Sequence, residues 1–312
     1  TMFLKNLEKK KNLLIAGGTG FIGLHLAKKA VKEGYKVTII SKNKPPLSKK
    51  LEDAKYISVD IRNKKNLLSK LKNKSFNYVV NLSGYVDHSY HFDRGSNVFD
   101  THFNGATNLV NCVNDENLLS FIQIGSSDEY GSNKAPQKEN QREEPISPYS
   151  CAKVAITHFL QMIYKTQKFP VVILRLFLVY GVGQKNNRFV PQVISGCIKK
   201  KSFPVSAGNQ LRDFCYIDDV VKAILLSLNN KKSHGEVINI ASGKPTYVKN
   251  VVNRIVNKVG LGRANFGKIK YRDLENMKLY ADISKAKKLL KWSPAIGLDT
   301  GLELTINSML KK

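Results

Sequence analysis

The chain has 312 residues, of which 42% are hydrophobic and 24% charged, and its formal net charge is +27. This length allows a large core, arranged as one big domain or as two of ordinary size. No apolar run approaches the roughly 20 residues that span a bilayer, which argues against a membrane protein. The lysines are distributed along the whole chain, so we interpret the charge as a solvated surface and predict neither a nucleic-acid nor a membrane partner.

The four cysteines lie far apart, with no Cys-x-x-Cys pair and no nearby histidine cluster. This pattern predicts no metal site and no disulfide framework, and it favours a reducing, cytoplasmic environment. The first twelve residues are rich in lysine and contain no apolar segment of the kind found in secretory leaders. We therefore expect no signal peptide.

The first chemical signal is a glycine-rich turn between a strand and a helix. Residues 12–16 predict a short buried strand, and a helix follows from about Ile22 to Glu33. Strand, glycine turn and helix in this order are typical of a dinucleotide site, in which the helix N-terminus faces the pyrophosphate. The first glycine permits the tight turn, the second admits the pyrophosphate, and the third lets helix and strand pack closely. The residues predicted to bind the cofactor here are Gly17, Thr19, Gly20, Phe21, Ile22 and Gly23.

The second strand, Tyr35 to Ile40, ends at Ser41 and Lys42. An NAD enzyme usually places a carboxylate at this point for the ribose hydroxyls. Lys42 suits the 2′-phosphate of NADP(H), whereas Ser41 can bond the ribose diol of NAD(H). We predict that both residues bind cofactor, and the pattern leaves its form, NAD(H) or NADP(H), open.

Two further predicted strands, Tyr56–Val59 and one that begins at Tyr78, also end in candidate cofactor contacts. Ligands of open parallel sheets bind at the carboxyl ends of the strands. The candidates at these two ends are Asp60, Ile61, Leu82, Ser83 and Gly84. Helix signals return between Asp100 and Val113.

The next strand leads into Ser126, Ser127 and Asp128, and so carries hydroxyl and carboxylate groups at its carboxyl end. After it, Ser147 and Pro148 predict the start of a helix, because serine is a good N-cap and proline suits the first helical position.

Tyr149 and Lys153 are four residues apart on this helix and share one face. A nearby ammonium group lowers the pKa of a phenol, which would let Tyr149 exchange a proton with a hydroxyl that is being oxidised or a carbonyl that is being reduced. A tyrosine and a lysine four residues apart occur by chance in many helices, so this spacing alone does not identify a catalytic pair.

A sixth strand is predicted from Pro170 to Leu176, and beyond Tyr180 the pattern changes to loops, a helix from about Pro191 and short strands. We predict an α/β fold with a doubly wound parallel sheet and a smaller, interleaved C-terminal substrate domain. The dinucleotide-binding domain would cover residues 1–180 and receive segments near 210–242. The substrate domain would cover residues 181–312.

Together these motifs resemble the extended short-chain dehydrogenase/reductases with a Rossmann fold, specifically the NAD(P)-dependent nucleotide-sugar epimerase/dehydratase family. The resemblance covers nearly the whole chain and is carried by segments in family order: 17–23, 126–131, Tyr149 with Lys153, 174–177, 179–181, 212–214, 217–220, 239–243 and 292–294.

The resemblance implies roles by position. Ser126 and Tyr149 would bind the sugar oxygen, with Tyr149 as the acid/base. Lys153 would bind the nicotinamide ribose, and Phe177 would lie near the nicotinamide. Further substrate contacts would come from Ser127, Asp128, Arg212 and Arg272, the two arginines gripping the diphosphate, as suits the guanidinium group. Family membership also implies a nucleotide-diphosphate sugar substrate, cytoplasmic work on surface-glycan precursors, and a homodimer formed by helices near residues 104–113 and 148–165.

One departure from the family pattern bears on which reaction the chain would catalyse. A 4,6-dehydratase has Thr-Asp-Glu where this chain, aligned on Tyr130 and Gly131, has Ser126-Ser127-Asp128. A one-residue gap would instead bring Asp128 and Glu129 into the carboxylate pair, so dehydration is disfavoured but stays open.

Two other positions also depart from the family. His102 replaces an asparagine and reads either as a packed or solvent-facing histidine or as an extra proton relay. Leu178 replaces a polar residue near the substrate phosphate.

Our leading hypothesis is one hydride transfer at C4 of a nucleotide-linked hexose or heptose, by a 4-dehydrogenase or 4-ketoreductase. The alternative is a 4-epimerase, which uses the same residues, and the 4,6-dehydratase ranks below it. A non-enzymatic NAD(P)-binding sensor or scaffold is expected to lose the tyrosine or the lysine, and this chain keeps both.

Overall fold

The computed structural model describes residues 11–47, 50–199 and 202–311. Residues 1–10, on which the signal-peptide expectation depends, lie outside them. The helices are α1 Phe21–Lys32, α2 Lys64–Leu71, α3 Ser96–Phe99, α4 Gly105–Val113, α5 Pro148–Gln167, α6 Phe189–Ile198, α7 Ile217–Leu228, α8 Val248–Val259, α9 Ser284–Leu290 and α10 Leu298–Leu310. The strands are β1 Asn12–Ala16, β2 Lys36–Ser41, β3 Ala54–Ser58, β4 Tyr78–Asn81, β5 Ser120–Ser126, β6 Val171–Leu176, β7 Leu178–Tyr180, β8 Ser202–Pro204, β9 Leu211–Tyr216, β10 Val237–Ile240, β11 Pro245–Tyr247, β12 Arg263–Asn265 and β13 Lys278–Leu279.

A seven-stranded sheet has the order β10-β6-β5-β4-β1-β2-β3. The pairs from β3 through β2, β1 and β4 to β5 are parallel. Strands covered by helices on both faces contain continuous apolar runs, and residues 13–16 and 78–81 are accordingly buried throughout. The predicted α/β fold with a doubly wound parallel sheet is therefore confirmed.

The chain divides into two compact units. The first contains residues up to 124, 147–173 and 227–236, and the second contains residues 125–146, 174–226 and from 237 onwards. The second unit has its own small sheet in the order β11-β9-β13, with β7 also paired to β9. The functions predicted for the two domains stay predictions.

The segment from Asp100 to Val113, where the sequence shows helix signals, is helical but not uniform. Residues 100–104 form a π-helical turn, and α4 follows directly. A π-turn shifts the hydrogen bonds from i→i+4 to i→i+5 and is often found at functional sites. His102 lies in this turn and is buried.

Helix α5 begins as predicted. The Ser147 side chain accepts a hydrogen bond from the Ser150 backbone N–H, and Pro148 occupies the first helical position. Its apolar stripe is buried through Ala152, Ile156 and Leu160. Across the described residues, no helix combines the length and apolarity that a membrane span requires.

Candidate active site

The glycine turn is so tight at two positions that only glycine fits there. Gly17 has φ +78°, and a Cβ atom there would lie 2.7 Å from the Leu82 carbonyl oxygen. A Cβ on Gly23 would lie 2.5 Å from the Gly18 Cα, so Gly23 lets α1 approach the turn. A Cβ atom on Gly20 would lie 3.3 Å from its nearest neighbour, the Gly17 carbonyl oxygen, and Gly20 is exposed. The turn thus closes on its inner side and stays open at Gly20.

Helix α1 has no side-chain cap at its N-terminus and no acidic residue in its first turn. Its first N–H groups and the positive end of its dipole therefore suit an anionic group. With the exposed Gly20 beside them, the residues present fit the pyrophosphate of a dinucleotide.

The ends of β2 and β3 meet around a carboxylate. The Lys42 ammonium lies 3.9 Å from Asp60. Arg62 donates to the same carboxylate from its backbone N–H at 3.0 Å, from Nε at 3.1 and 3.2 Å, and from Nη2 at 2.7 Å. The hydrogen bond from Arg62 holds the pKa of Asp60 below its ordinary value. Ser41 donates its hydroxyl hydrogen to the Asn43 carbonyl at 2.7 Å. Arg62 was not singled out from the sequence, although its position two residues after Asp60 places it at the end of the strand.

Three more residues predicted to bind cofactor, Leu82, Ser83 and Ile61, have contacts within the first unit. The Leu82 carbonyl backs the glycine turn, the Ser83 N–H is tied to the Asn81 side chain at 3.1 Å, and Ile61 fills the space beside Gly105. Ile61 is buried.

Tyr149 and Lys153 are both buried on α5. The Lys153 Nζ donates a hydrogen bond to the Ile124 carbonyl at 2.7 Å and lies 5.9 Å from the centroid of the Tyr149 ring. The structure therefore brings the two residues together as the four-residue spacing predicts.

His102 is a packed histidine, buried between Tyr85 and Tyr149. Its Nε2 lies 2.8 Å from the Tyr85 carbonyl and must carry the hydrogen, because a carbonyl only accepts. The ring lies edge-on to Tyr149 with centroids 5.0 Å apart. Burial, together with the charge of Lys153, lowers the pKa of His102 to about 3. The imidazole is consequently neutral at ordinary pH.

A glycine makes room for the His102 ring, and a second histidine also contacts Tyr149. A Cβ atom on Gly84 would lie 2.2 Å from the His102 ring, so only glycine fits there. His88 contacts Tyr149 from a second direction, with ring centroids 5.7 Å apart. Sequence reasoning missed His88, because it lies in a loop without a recognisable pattern.

In the second unit, Ser126 ends β5 and caps a short 3₁₀ turn. Its Oγ accepts a hydrogen bond from the Asp128 N–H at 3.1 Å, and its own N–H donates to Glu129 at 2.9 Å. The other oxygen of Glu129 accepts from Arg175 at 2.8 Å, and both of these side chains are completely buried. Ser127 is buried as well.

The two predicted phosphate-binding arginines share one carboxylate. Arg212 is buried and pairs with Glu275, and Arg272 donates to the same carboxylate at 2.9 Å while its side chain stays 61% exposed. Burial lowers the pKa of Arg212, and the charge of Glu275 opposes this. The negative charge of Asp128 acts on both guanidinium groups. Glu275 was not predicted: it lies three residues after Arg272 but 63 residues from Arg212, so the sequence does not show that the two arginines share a carboxylate.

Phe177 is buried in a small apolar cluster and packs against Tyr130, with ring centroids 6.2 Å apart. The hydroxyl of Tyr130 donates to Asn239 at 2.7 Å. The predicted place of Phe177 beside the nicotinamide stays a prediction.

The model of the NAD dependent epimerase/dehydratase family matches residues 13–241. The match includes the glycine turn, Ser126, Tyr149, Lys153 and Arg212. The chain belongs to this family, and it is an α/β protein of the extended short-chain dehydrogenase/reductase type, as the resemblance implied.

Individual relatives extend over almost the full length. The UDP-glucuronate 4-epimerase of Thermodesulfobacterium geofontis is 27% identical over 308 residues, which are 94% of this chain and 94% of that protein. The crystal structure of UDP-glucuronic acid 4-epimerase from Bacillus cereus, in complex with UDP-glucuronic acid and NAD, is 28% identical, has a TM-score of 0.86, and is matched over 96% of this chain and 99% of its own. The dTDP-D-glucose 4,6-dehydratase of Mus musculus is 26% identical over 318 residues, 95% of this chain and 88% of that protein.

Proposed function

We propose that the protein is a nicotinamide-dependent 4-epimerase of nucleotide-diphosphate sugars. This was the alternative to our leading hypothesis of a 4-dehydrogenase or 4-ketoreductase, and the comparisons favour it. Two 4-epimerases match nearly the whole chain at 27% and 28% identity. Because the dehydratase of mouse is almost as similar at 26%, the choice between these reactions depends on the site.

The observation that carries the proposal is the burial of Glu129. The family's 4,6-dehydratases, as described above, use a pair of carboxylates at this turn to expel a hydroxyl group as water. Glu129 has no exposed side-chain surface, and its two oxygens accept hydrogen bonds from Ser126 and Arg175. This burial supports epimerisation over dehydration, because Glu129 does not present a second carboxylate beside Asp128, even with the one-residue gap that would align the two residues with the dehydratase pair. Epimerisation requires no second carboxylate.

The chain's own residues account for the steps that epimerisation requires. The nearby Lys153 cation stabilises the phenolate form of Tyr149. This phenolate takes the proton of the C4 hydroxyl and becomes a neutral phenol. Ser126 donates a hydrogen bond to the same oxygen. The glycine turn and Lys153 would hold a nicotinamide cofactor, which would supply the acceptor for the C4 hydride and its donor on the return. Arg212 and Arg272 bind the diphosphate while the keto sugar turns, and Tyr149 returns the proton to the oxygen once C4 has the opposite configuration.

Incubation of the purified protein with UDP-glucose or UDP-glucuronate, followed by NMR of the products, tests the proposal. We expect the corresponding C4 epimers without net change in reduced-nicotinamide absorbance. Tyr149→Phe should reduce turnover at least ~100-fold, the lower range for loss of an acid/base group, and should still retain the cofactor. Mass spectrometry of the nucleotide released on denaturation distinguishes NAD from NADP. A net absorbance change would restore the dehydrogenase hypothesis, and a 4-keto-6-deoxy product would establish dehydration.

A further inference from the structure

The backbone around Ser126 is fixed by a carboxylate that never reaches the surface. Ser126 uses its single N–H to bond Glu129 Oε1 at 2.9 Å, and its Oγ accepts from the Asp128 N–H at 3.1 Å. These two bonds form a reciprocal cap on the turn from Ser127 to Tyr130. Since the backbone and the Oγ acceptor direction are both set, the hydroxyl hydrogen of Ser126 is directed by this cap.

Glu129 in turn is held by Arg175 on β6. The Arg175 Nε donates to Glu129 Oε2 at 2.8 Å, and Nη2 donates to Glu143 at 2.5 Å. The guanidinium carbon lies 4.6 Å from the centroid of the Tyr130 ring. Nη1 is buried without a hydrogen-bond partner in the part of the chain that the structure describes. Glu129 therefore has little freedom to change its orientation.

Stability is a poor explanation for such a pair. The cost of removing two charges from water often equals or exceeds their attraction, and well-packed apolar side chains can replace buried ion pairs without loss of stability. An orphaned buried N–H on Arg175 adds a further cost. What an apolar pair would not provide is an acceptor for the Ser126 N–H.

We infer that Glu129, oriented by Arg175, is a positioning residue for Ser126. It sets the direction of the serine hydroxyl and takes no part in proton transfer, because its oxygens are occupied and shielded from substrate. The inference rests on the proposed function, which assigns Ser126 to the sugar oxygen. Small displacements of a group that bonds the reacting oxygen slow the reaction without weakening substrate binding.

A double-mutant cycle tests this inference. Glu129→Gln replaces one acceptor oxygen with an amide donor, so it cannot accept from both Ser126 and Arg175. We expect kcat to fall about 10- to 30-fold, the size of one misplaced hydrogen bond, with KM and cofactor retention within about twofold. In a Ser126→Ala background the same substitution should cause no further loss, because residues that act through one another are not additive. Additive losses would overturn the inference.

Glu143→Gln is the matched control. Glu143 pairs with the same guanidinium, but the Ser126 N–H is directed to Glu129. A structural effect of disturbing Arg175 should appear in both variants, whereas a positioning effect should appear only in Glu129→Gln. Equal losses of kcat in the two variants would contradict the inference.

A second measurement does not depend on turnover. Hydrogen–deuterium exchange resolved at the Ser126 amide should be slow in the wild type and at least ~10-fold faster in Glu129→Gln, with exchange in β1 and β4 unchanged. The double variant Glu129→Leu/Arg175→Met removes both charges of this pair and also the acceptor for the Ser126 N–H, so it should show the same fast Ser126 exchange. Unchanged exchange at Ser126 would refute the positioning role. A wild type without any turnover would refute the proposed function alone.

Discussion

The glycine turn before α1 and the serine turn after β5 are both candidate ligand-binding turns, but they are fixed by opposite means. The glycine turn depends on the absence of side chains, since a Cβ at Gly17 or Gly23 would overlap the backbone. The serine turn depends on buried charged side chains, with Glu129 bonded to Ser126 and Arg175. The first excludes alternatives by steric overlap, which is local. The second requires partners from distant parts of the chain.

The largest effects are expected in the glycine turn, where alanine at Gly23 should lower both stability and cofactor binding, whereas alanine at Gly20 should lower cofactor binding alone. A methyl group at Gly23 would lie 2.5 Å from the Gly18 Cα, so Gly23→Ala should destabilise the protein by about 1–3 kcal/mol, as overpacking does, and abolish cofactor retention. A methyl group at Gly20 meets no atom closer than 3.3 Å. Gly20→Ala should therefore leave the free energy of unfolding within about 1 kcal/mol of wild type while weakening the cofactor at least ~10-fold.

Chemical denaturation and cofactor titration of both variants measure this difference. Gly34→Ala provides a control for a glycine remote from the turn; a Cβ atom there would meet no neighbour within 4 Å, although its φ of +83° will itself cost some stability. If Gly20→Ala bound cofactor like the wild type, the pyrophosphate would not lie over this turn.

The same contrast explains which parts could be predicted from sequence. The parallel sheet, the glycine turn, the cap at Ser147 and the pairing of Tyr149 with Lys153 depend on residues within a few positions of one another. Glu129 and Arg175 are 46 residues apart, and Glu275 lies 63 residues from Arg212. These two long-range pairs are chosen by tertiary packing, which no local pattern encodes, although Ser126 with Glu129 and Arg272 with Glu275 are each three residues apart. The packed state of His102 also depends on Gly84, whose missing side chain makes the space.

Arg212 and Arg272, which both pair with Glu275, allow a test of whether a buried arginine contributes more to substrate binding than an exposed one. Arg212 is buried and oriented by Glu275 and by its own bond to the Leu211 carbonyl at 2.8 Å, whereas the Arg272 side chain is 61% exposed. Arg212→Ala should raise KM for the nucleotide sugar about 10- to 100-fold, the range for a charge-assisted hydrogen bond. Arg272→Ala should raise it no more than about fivefold, as for an exposed ion pair. In both variants kcat should change little.

Steady-state kinetics with one nucleotide sugar, and equilibrium binding of the free nucleoside diphosphate, give the two values. Equal effects of the two substitutions would mean that burial does not determine the strength of the diphosphate contact. An unchanged KM in Arg212→Ala would remove its assignment to the phosphates.

The smallest expected effect concerns His102, which combines both devices: a glycine makes its space, and a polar bond to the Tyr85 carbonyl fixes its ring. Burial and Lys153 lower its pKa to about 3, whereas a histidine in the unfolded chain has a pKa of about 6.5. Between these values the unfolded state binds a proton that the folded state does not. The free energy of unfolding should therefore decrease as pH falls below about 6.5, by up to about 1.4 kcal/mol per pH unit from this one group.

His102→Asn should remove this contribution, so denaturant unfolding measured from pH 7 to pH 5 should show a shallower decline than in the wild type. His158→Asn, at an exposed position on α5, is the control and should leave the slope unchanged. The asparagine variant will also differ in stability at pH 7, because its packing against Tyr149 changes, but only the slope reports protonation. A slope that stayed the same in His102→Asn would mean that the folded and unfolded states protonate this imidazole alike, so that burial does not lower its pKa.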